Sequence, residues 1–234
     1  TGPLLLKRAL EHFASKGALD IDTLGEKNVV ALVDAGLVND LADVYALEKE
    51  QLLELDRFAE ISATKLIGAI ANKTKPPLER FVYGLGIRHV GVQTAIDLVN
   101  HFGSLHALAH ATIDALKDVD GVGEVVAESI AAWFADEDNL VLLEKFDRLD
   151  VRPQFERKTG KLEGKSFVVT GTLQSMGRDE AAEKIRALGG TFQSSVGKDT
   201  TYLVAGGKIG ASKLKKAESH GTKIINEQEF LNLL

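Results

Sequence analysis

Four segments of this chain repeat one pattern at nearly constant spacing, and that repeat constrains the fold more than any other feature. With Gly25, Ala59, Gly91 and Gly123 aligned, the intervals are 34, 32 and 32 residues. The preceding residue is apolar in every copy (Leu24, Phe58, Val90, Val122), and the residue four positions on is short (Val29, Ala63, Ala95, Ala127). The residue seven positions on is Leu or Ile (Leu32, Leu66, Leu98, Ile130). Offsets of four and seven fall on one face of a helix whose N-terminus lies at the aligned position. Short side chains let a paired helix approach, so each copy reads as a turn feeding a packed helix, and the fixed period marks an array. Repeats near 22–32, 56–66, 86–98 and 120–130 predict an all-helical region over residues 1–152, which Pro76-Pro77 divides into two pairs.

The chemistry of such an array lies at its turns. A helix N-terminus carries unpaired N–H groups and the positive end of the helix dipole, so a turn without side chains there suits a phosphate oxygen. Only the fourth copy has both glycines, Gly121 and Gly123. The first has Thr23 and Gly25, the third His89 and Gly91, and the second Arg57 and Ala59. A Cβ obstructs close approach and tolerates positive φ poorly, so the second copy reads as structural. Arg88 and His89, preceded by Gly86, and Lys27 are the cations expected on phosphates; the bland alternative is that Arg88 and Lys27 are solvated surface residues. Gly25, Lys27, Gly86, Arg88, His89, Gly91, Gly121 and Gly123 form the candidate binding set.

Charge limits how such a set can work. Residues 1–152 hold 15 Lys and Arg against 25 Asp and Glu, net −10, whereas residues 153–234 hold 13 against 9, net +4. The helical region therefore lacks a broad basic footprint, and any nucleic-acid contact must be local to the turns. Phosphate contacts carry no sequence information, so binding of duplex DNA would be sequence-independent. His101, His106 and His110 have no acidic or cysteine partner at metal-ligand spacing, and no metal site is expected. The chain has no cysteine and no apolar run near the ~20 residues of a membrane span, which predicts a cytoplasmic protein without membrane partners.

From Arg152 to Gly160 the pattern lapses into a polar stretch, read as a linker over 153–163. Beyond it, short apolar runs (Phe167-Val168-Val169, Tyr202-Leu203-Val204, Ile224-Ile225) alternate with helical segments at 178–188, 211–219 and 227–234. That texture predicts a small α/β domain with buried parallel strands over 164–234. Open α/β sheets place ligands at the carboxyl ends of their strands. There Thr170 and Gly171 end the first strand, while Arg178 and Lys213 open helices, a grouping suited to phosphate. The alternative is that Thr170 and Arg178 are ordinary cap and surface residues.

The second region resembles a BRCT domain. The resemblance is carried by Gly164-Lys165-Ser166-Phe167-Val168-Val169-Thr170-Gly171-Thr172-Leu173, Arg178-Asp179-Glu180, Gly189-Gly190, Thr201-Tyr202-Leu203-Val204, Gly210-Ala211-Ser212-Lys213, Lys216-Ala217 and Ile224-Ile225. It implies a four-stranded parallel sheet and a phosphate contact through Thr170, Lys213 and Arg178. Residues Ala18 to Lys27 and Phe81 to Gly91 are similar to the helix-hairpin-helix repeats of bacterial NAD-dependent DNA ligases, and the order of regions matches the C-terminal half of that family.

The family resemblance implies a piece that begins just after a four-cysteine zinc finger and clamps nicked duplex DNA during replication and repair, near the nucleoid. It also implies partnership with nucleotidyltransferase, OB and zinc-finger domains. NAD, Mg and structural Zn would be used outside this chain, which needs no cofactor and is expected to be inactive alone: it has neither the family's Lys-x-Asp-Gly motif nor any cysteine. A competing expectation is a protein-interaction module whose BRCT domain captures a phosphorylated partner while the helices serve as scaffold.

Overall fold

A computed structural model describes residues 2–156 and 160–234. It divides into two compact units, residues 1–155 and 156–234.

The first unit is built of helices joined by turns. Its elements are α1 (Pro3–Ala14), α2 (Glu26–Asp34), a 3-10 turn (Ala42–Ala46), α3 (Lys49–Leu53), α4 (Glu60–Ala71), α5 (Leu78–Gly84) and α6 (Val92–Phe102). α7 (Leu105–Ala109), α8 (Ile113–Lys117), α9 (Glu124–Ala135) and α10 (Glu137–Arg148) follow. α1 packs on α2, α3 on α4, α5 on α6 and α8 on α9, giving four helical hairpins. The residues that define the repeat are all core. Val29, Ala63, Ala95 and Ala127 are buried, as are Leu32, Leu66, Leu98, Ile130 and the apolar residues preceding each aligned position.

Pro76-Pro77 interrupts the helices between hairpins two and three, and the two pairs share one core. Phe146 of α10 stacks on Phe13 of α1 at 5.8 Å between centroids and meets Phe81 of α5 edge-on at 5.0 Å, so one aromatic cluster spans both pairs. Aromatic contacts of this geometry add to area burial. Gly84 permits the crossing of α5: a Cβ there would lie 2.7 Å from Leu19 Cδ2 and 3.2 Å from Phe13 Cδ2. Lys145 of α10 bridges to Asp43 and, at 2.9 Å, to Asp40. Burial draws the Lys145 ammonium down, but hydrogen bonds and charge from the two carboxylates outweigh this and leave its pKa raised.

Part of the stretch read as a linker over 153–163 is packed. Gln154 donates its amide to Pro76 and accepts from that of Leu78, while Phe155 packs on the helical core. Leu162 lies in the core of the second unit, its amide bonded to the Leu188 carbonyl. Polar composition hid these backbone bonds. Residues 157–159 lie outside the described residues.

The second unit contains β1 (Ser166–Thr170), α11 (Arg178–Ala187), β2 (Thr191–Phe192), β3 (Tyr202–Ala205), α12 (Ala211–His220), β4 (Lys223–Asn226) and α13 (Glu227–Leu233). The strands form a parallel four-stranded sheet in the order β2-β1-β3-β4. Central β1 is buried along Phe167–Thr170, as its unbroken apolar run demands.

Candidate nucleic-acid interface

All four hairpins close with the same backbone bond, from the residue before the aligned position to the residue three earlier. It joins Leu24 to Ile21, Phe58 to Leu55, Val90 to Ile87 and Val122 to Val119, at 3.0–3.2 Å. In three of them the third turn residue has positive φ: Thr23 at 67°, His89 at 70° and Gly121 at 80°. That is the signature of a type II turn. Arg57 of hairpin two is not among the positive-φ residues, so its turn is built differently. Gly121 meets the left-handed conformation without strain; Thr23 meets it as a β-branched residue with a buried hydroxyl that has no partner.

The aligned residues are the N-caps of α2, α4, α6 and α9. At Gly25, Gly91 and Gly123 the backbone is extended, with φ of −90°, −88° and −92°. No side chain caps these three ends, and a Cβ at any of them would meet nothing within 4 Å. Neither backbone conformation nor internal packing therefore requires glycine there. A Cβ there would stand beside first-turn amides that have no partner within the helix. At hairpin two the Ser62 hydroxyl turns back and accepts from the Ala59 amide at 2.9 Å. Gly86 differs, because its φ of +71° follows directly on the end of α5 and accounts for the glycine internally.

Electrostatics ranks the hairpins in another order than glycine content does. α2, α4 and α9 each have a glutamate in the first turn (Glu26, Glu60, Glu124), whereas α6 has no acidic residue there. At hairpin four, Glu124 pairs with Lys117 at 2.7 Å; the hydrogen bond and charge of each hold the carboxyl below and the ammonium above their ordinary pKa values. Glu60 pairs with Lys49 at hairpin two. Hairpin three instead exposes Arg88 and His89 beside open Gly91, and Lys27 is exposed in the first turn of hairpin one.

Among the described residues, two cross-links join the turns of neighbouring hairpins, and the sequence alone does not announce either. Arg57 Nε donates to Asn28 Oδ1, whose own Nδ2 donates to the Thr23 carbonyl at 2.6 Å, linking hairpin two to hairpin one. Ser129 Oγ of α9 donates to the Arg88 carbonyl at 2.7 Å, linking hairpin four to hairpin three. The partners are 29 and 41 residues apart, so no local pattern announces them.

In the second unit, Thr170 is buried at the end of β1. Gly171, with φ +78°, is required by packing, since a Cβ would lie 2.4 Å from the Gly207 carbonyl oxygen. Arg178 donates to the Val169 carbonyl at 3.1 Å and lies over the Phe192 ring. Burial, then repulsion from Arg178, lowers the Lys213 pKa; the two cations thus share one neighbourhood, and an anion there would relieve both effects. Among the described residues no group of three or more His, Cys, Asp or Glu side chains could hold a metal, and no helix is long and apolar enough to cross a membrane.

Residues 80–143, which include hairpins three and four, match the helix-hairpin-helix motif, and residues 157–234 match the BRCA1 C Terminus (BRCT) domain. Along its length the chain is similar to proteins named DNA ligase. It is 43% identical over 236 residues to that of Dehalococcoides mccartyi (strain CBDB1), covering 99% of this chain and 35% of the relative. It is 44% identical over 242 residues to that of Bacillus thuringiensis (strain Al Hakam), covering 100% and 36%. The chain thus spans about a third of the length of the curated relatives it matches. Four hairpins and a parallel BRCT sheet thus stand in a chain that carries a helix-hairpin-helix motif and a BRCT domain and is similar, over nearly its whole length, to about a third of the length of proteins named DNA ligase.

Proposed function

We propose that this chain is the C-terminal part of an NAD-dependent DNA ligase and holds nicked duplex DNA without reading its sequence. The observation that carries this reading is glycine at three of four helix N-termini where the protein itself has no use for it. An oxygen of a DNA phosphate fits in front of each, taking hydrogen bonds from first-turn amides with the helix dipole aligned. Arg88 and Lys27 add charge to such contacts, and the Ser129 and Asn28 links hold the turns at fixed separations. Phosphates are identical in every sequence, so spacing rather than base identity is what the array recognises.

NAD supplies the adenylyl group that activates the 5′-phosphate of a nick; that step, with its Mg and a structural Zn, we assign to nucleotidyltransferase, OB and zinc-finger domains outside this chain. The work of these residues is to grip the duplex while sealing proceeds, in the cytoplasm at the nucleoid. The BRCT unit adds a phosphate contact at Thr170, Arg178 and Lys213.

The test is titration of the chain with nicked and intact duplexes of two unrelated sequences across a salt series. Expected are equal affinities for both sequences that weaken with salt, with Arg88→Ala reducing the slope of log K against log salt by about one. Absence of binding at low salt would overturn the reading. Thr170→Ala with Lys213→Ala should weaken binding to a 5′-phosphorylated end; an unchanged isotherm would remove the BRCT unit from the DNA contact and favour capture of a phosphorylated protein.

A further inference from the structure

Core packing explains the apolar residues of the repeat but not three others. The two most exposed large apolar side chains among the described residues are Ile61 at 84% and Val125 at 63%, and each is the second residue of a hairpin helix, α4 and α9. Val92, 50% exposed, is the first residue of α6. In hairpin one the second position holds Lys27 instead. These side chains lie off the stripes Ala63–Leu66–Ile70, Ala95–Leu98–Val99 and Ala127–Ile130–Phe134 that bury each helix, so folding gains little from them. As β-branched residues they are also modest helix formers. The four most exposed of the remaining aliphatics, Leu4, Leu5, Leu140 and Val141, belong to α1 and α10, whose N-termini are not at aligned turns.

An aliphatic group set one residue or two from an amide-lined anion site calls for a ligand whose apolar surface lies next to an anion. The backbone of DNA alternates in that way, a phosphate and then a deoxyribose with its C–H faces. We propose that Ile61, Val92 and Val125 pack on deoxyribose carbons beside the phosphates at their hairpins, an inference that rests on the DNA-holding reading above. Hairpin two, with Ala59 in place of glycine, then contributes chiefly through Ile61 and not through its amides.

Such a contact adds affinity without neutralising charge, which separates it from a phosphate contact. The full chain and the variant Ile61→Ser/Val92→Ser/Val125→Ser would be titrated with nicked duplex across a salt series, alongside thermal unfolding. Expected are an unchanged Tm, affinity reduced about tenfold by loss of aliphatic burial, and an unchanged slope of log K against log salt. Equal affinity would overturn this inference while leaving the DNA-holding reading intact. Weaker binding with a shallower slope would overturn it too, since charge contacts would then have been lost. A wild-type chain that fails to bind overturns both. If the triple variant unfolds early, Ile61→Ser alone, at the most exposed site, carries the test, with about a twofold loss expected.

Discussion

Hairpins two and three are built on one internal plan. Phe58, Ala63 and Leu66 are buried as Val90, Ala95 and Leu98 are, and both turns close with the same backbone bond. Their mouths differ. Hairpin three has an uncapped Gly91 N-terminus, exposed Arg88 and His89, and no acid in the first turn of its helix. Hairpin two has Ala59, a serine folded onto its amide, a glutamate tied to Lys49, and Arg57 drawn sideways to Asn28. The buried residues of the repeat therefore maintain a scaffold, while a few exposed positions decide what each copy can meet. A repeat can change what its turn presents without losing its place in the fold.

The shared half of this comparison should give the largest effects. Leu66→Ala and Leu98→Ala each remove a fully buried side chain, so both should cost about 2–5 kcal/mol in denaturant unfolding, with no preference between hairpins. A large disparity would show that the common plan is not energetically common. The mouths come next. Gly91→Asp adds a carboxylate where the backbone is extended and space is open, so it should leave Tm unchanged and lower DNA affinity about tenfold or more, whereas Ala59→Asp should lower it several-fold less, because no amide-held phosphate is lost there. Equal losses at both positions would show that the two mouths meet DNA alike.

Hairpin four sharpens it from the other side, having the glycines but also a carboxylate. Glu124→Gln should raise affinity about two- to threefold at low salt, by removing a negative charge from the mouth and releasing Lys117, and the gain should fade as salt rises. An unchanged affinity would mean that hairpin four does not touch DNA.

The smallest effect lies outside the hairpins. Glu227 accepts the amides of Gln174 at 2.7 Å and Ser175 at 2.9 Å, and hydrogen bonds from Ser175 and Gln174 hold its pKa below the ordinary glutamate value. A carboxyl with a depressed folded pKa stabilises the fold above its unfolded value of about 4.3, and that contribution is lost as pH falls through the folded value. The amide proton shifts of both residues should therefore titrate together at a pH below the ordinary glutamate range, and Glu227→Gln should abolish the titration.

The sequence was most legible where structure is local. Helix N-termini at Gly25, Ala59, Gly91 and Gly123 follow from apolar spacing, and three of the four strands show as unbroken apolar runs. β2, only Thr191 and Phe192 with Thr191 exposed, is too short to leave a pattern. Likewise, polar composition disguised Gln154 and Phe155, because what ties Gln154 down is backbone bonding to Pro76 and Leu78.

By itself, then, the sequence determined the fourfold array, the positions of its turns and the change to an α/β unit, because periodicity and turn chemistry depend on neighbours along the chain. Tertiary structure decided which turns are open and which are closed. Lys117 beside Glu124, Arg57 on Asn28 and Ser129 on the Arg88 carbonyl all join separate elements, and Phe146 unites both hairpin pairs through Phe13 and Phe81. Such pairings depend on how finished helices dock, and no local spacing specifies that.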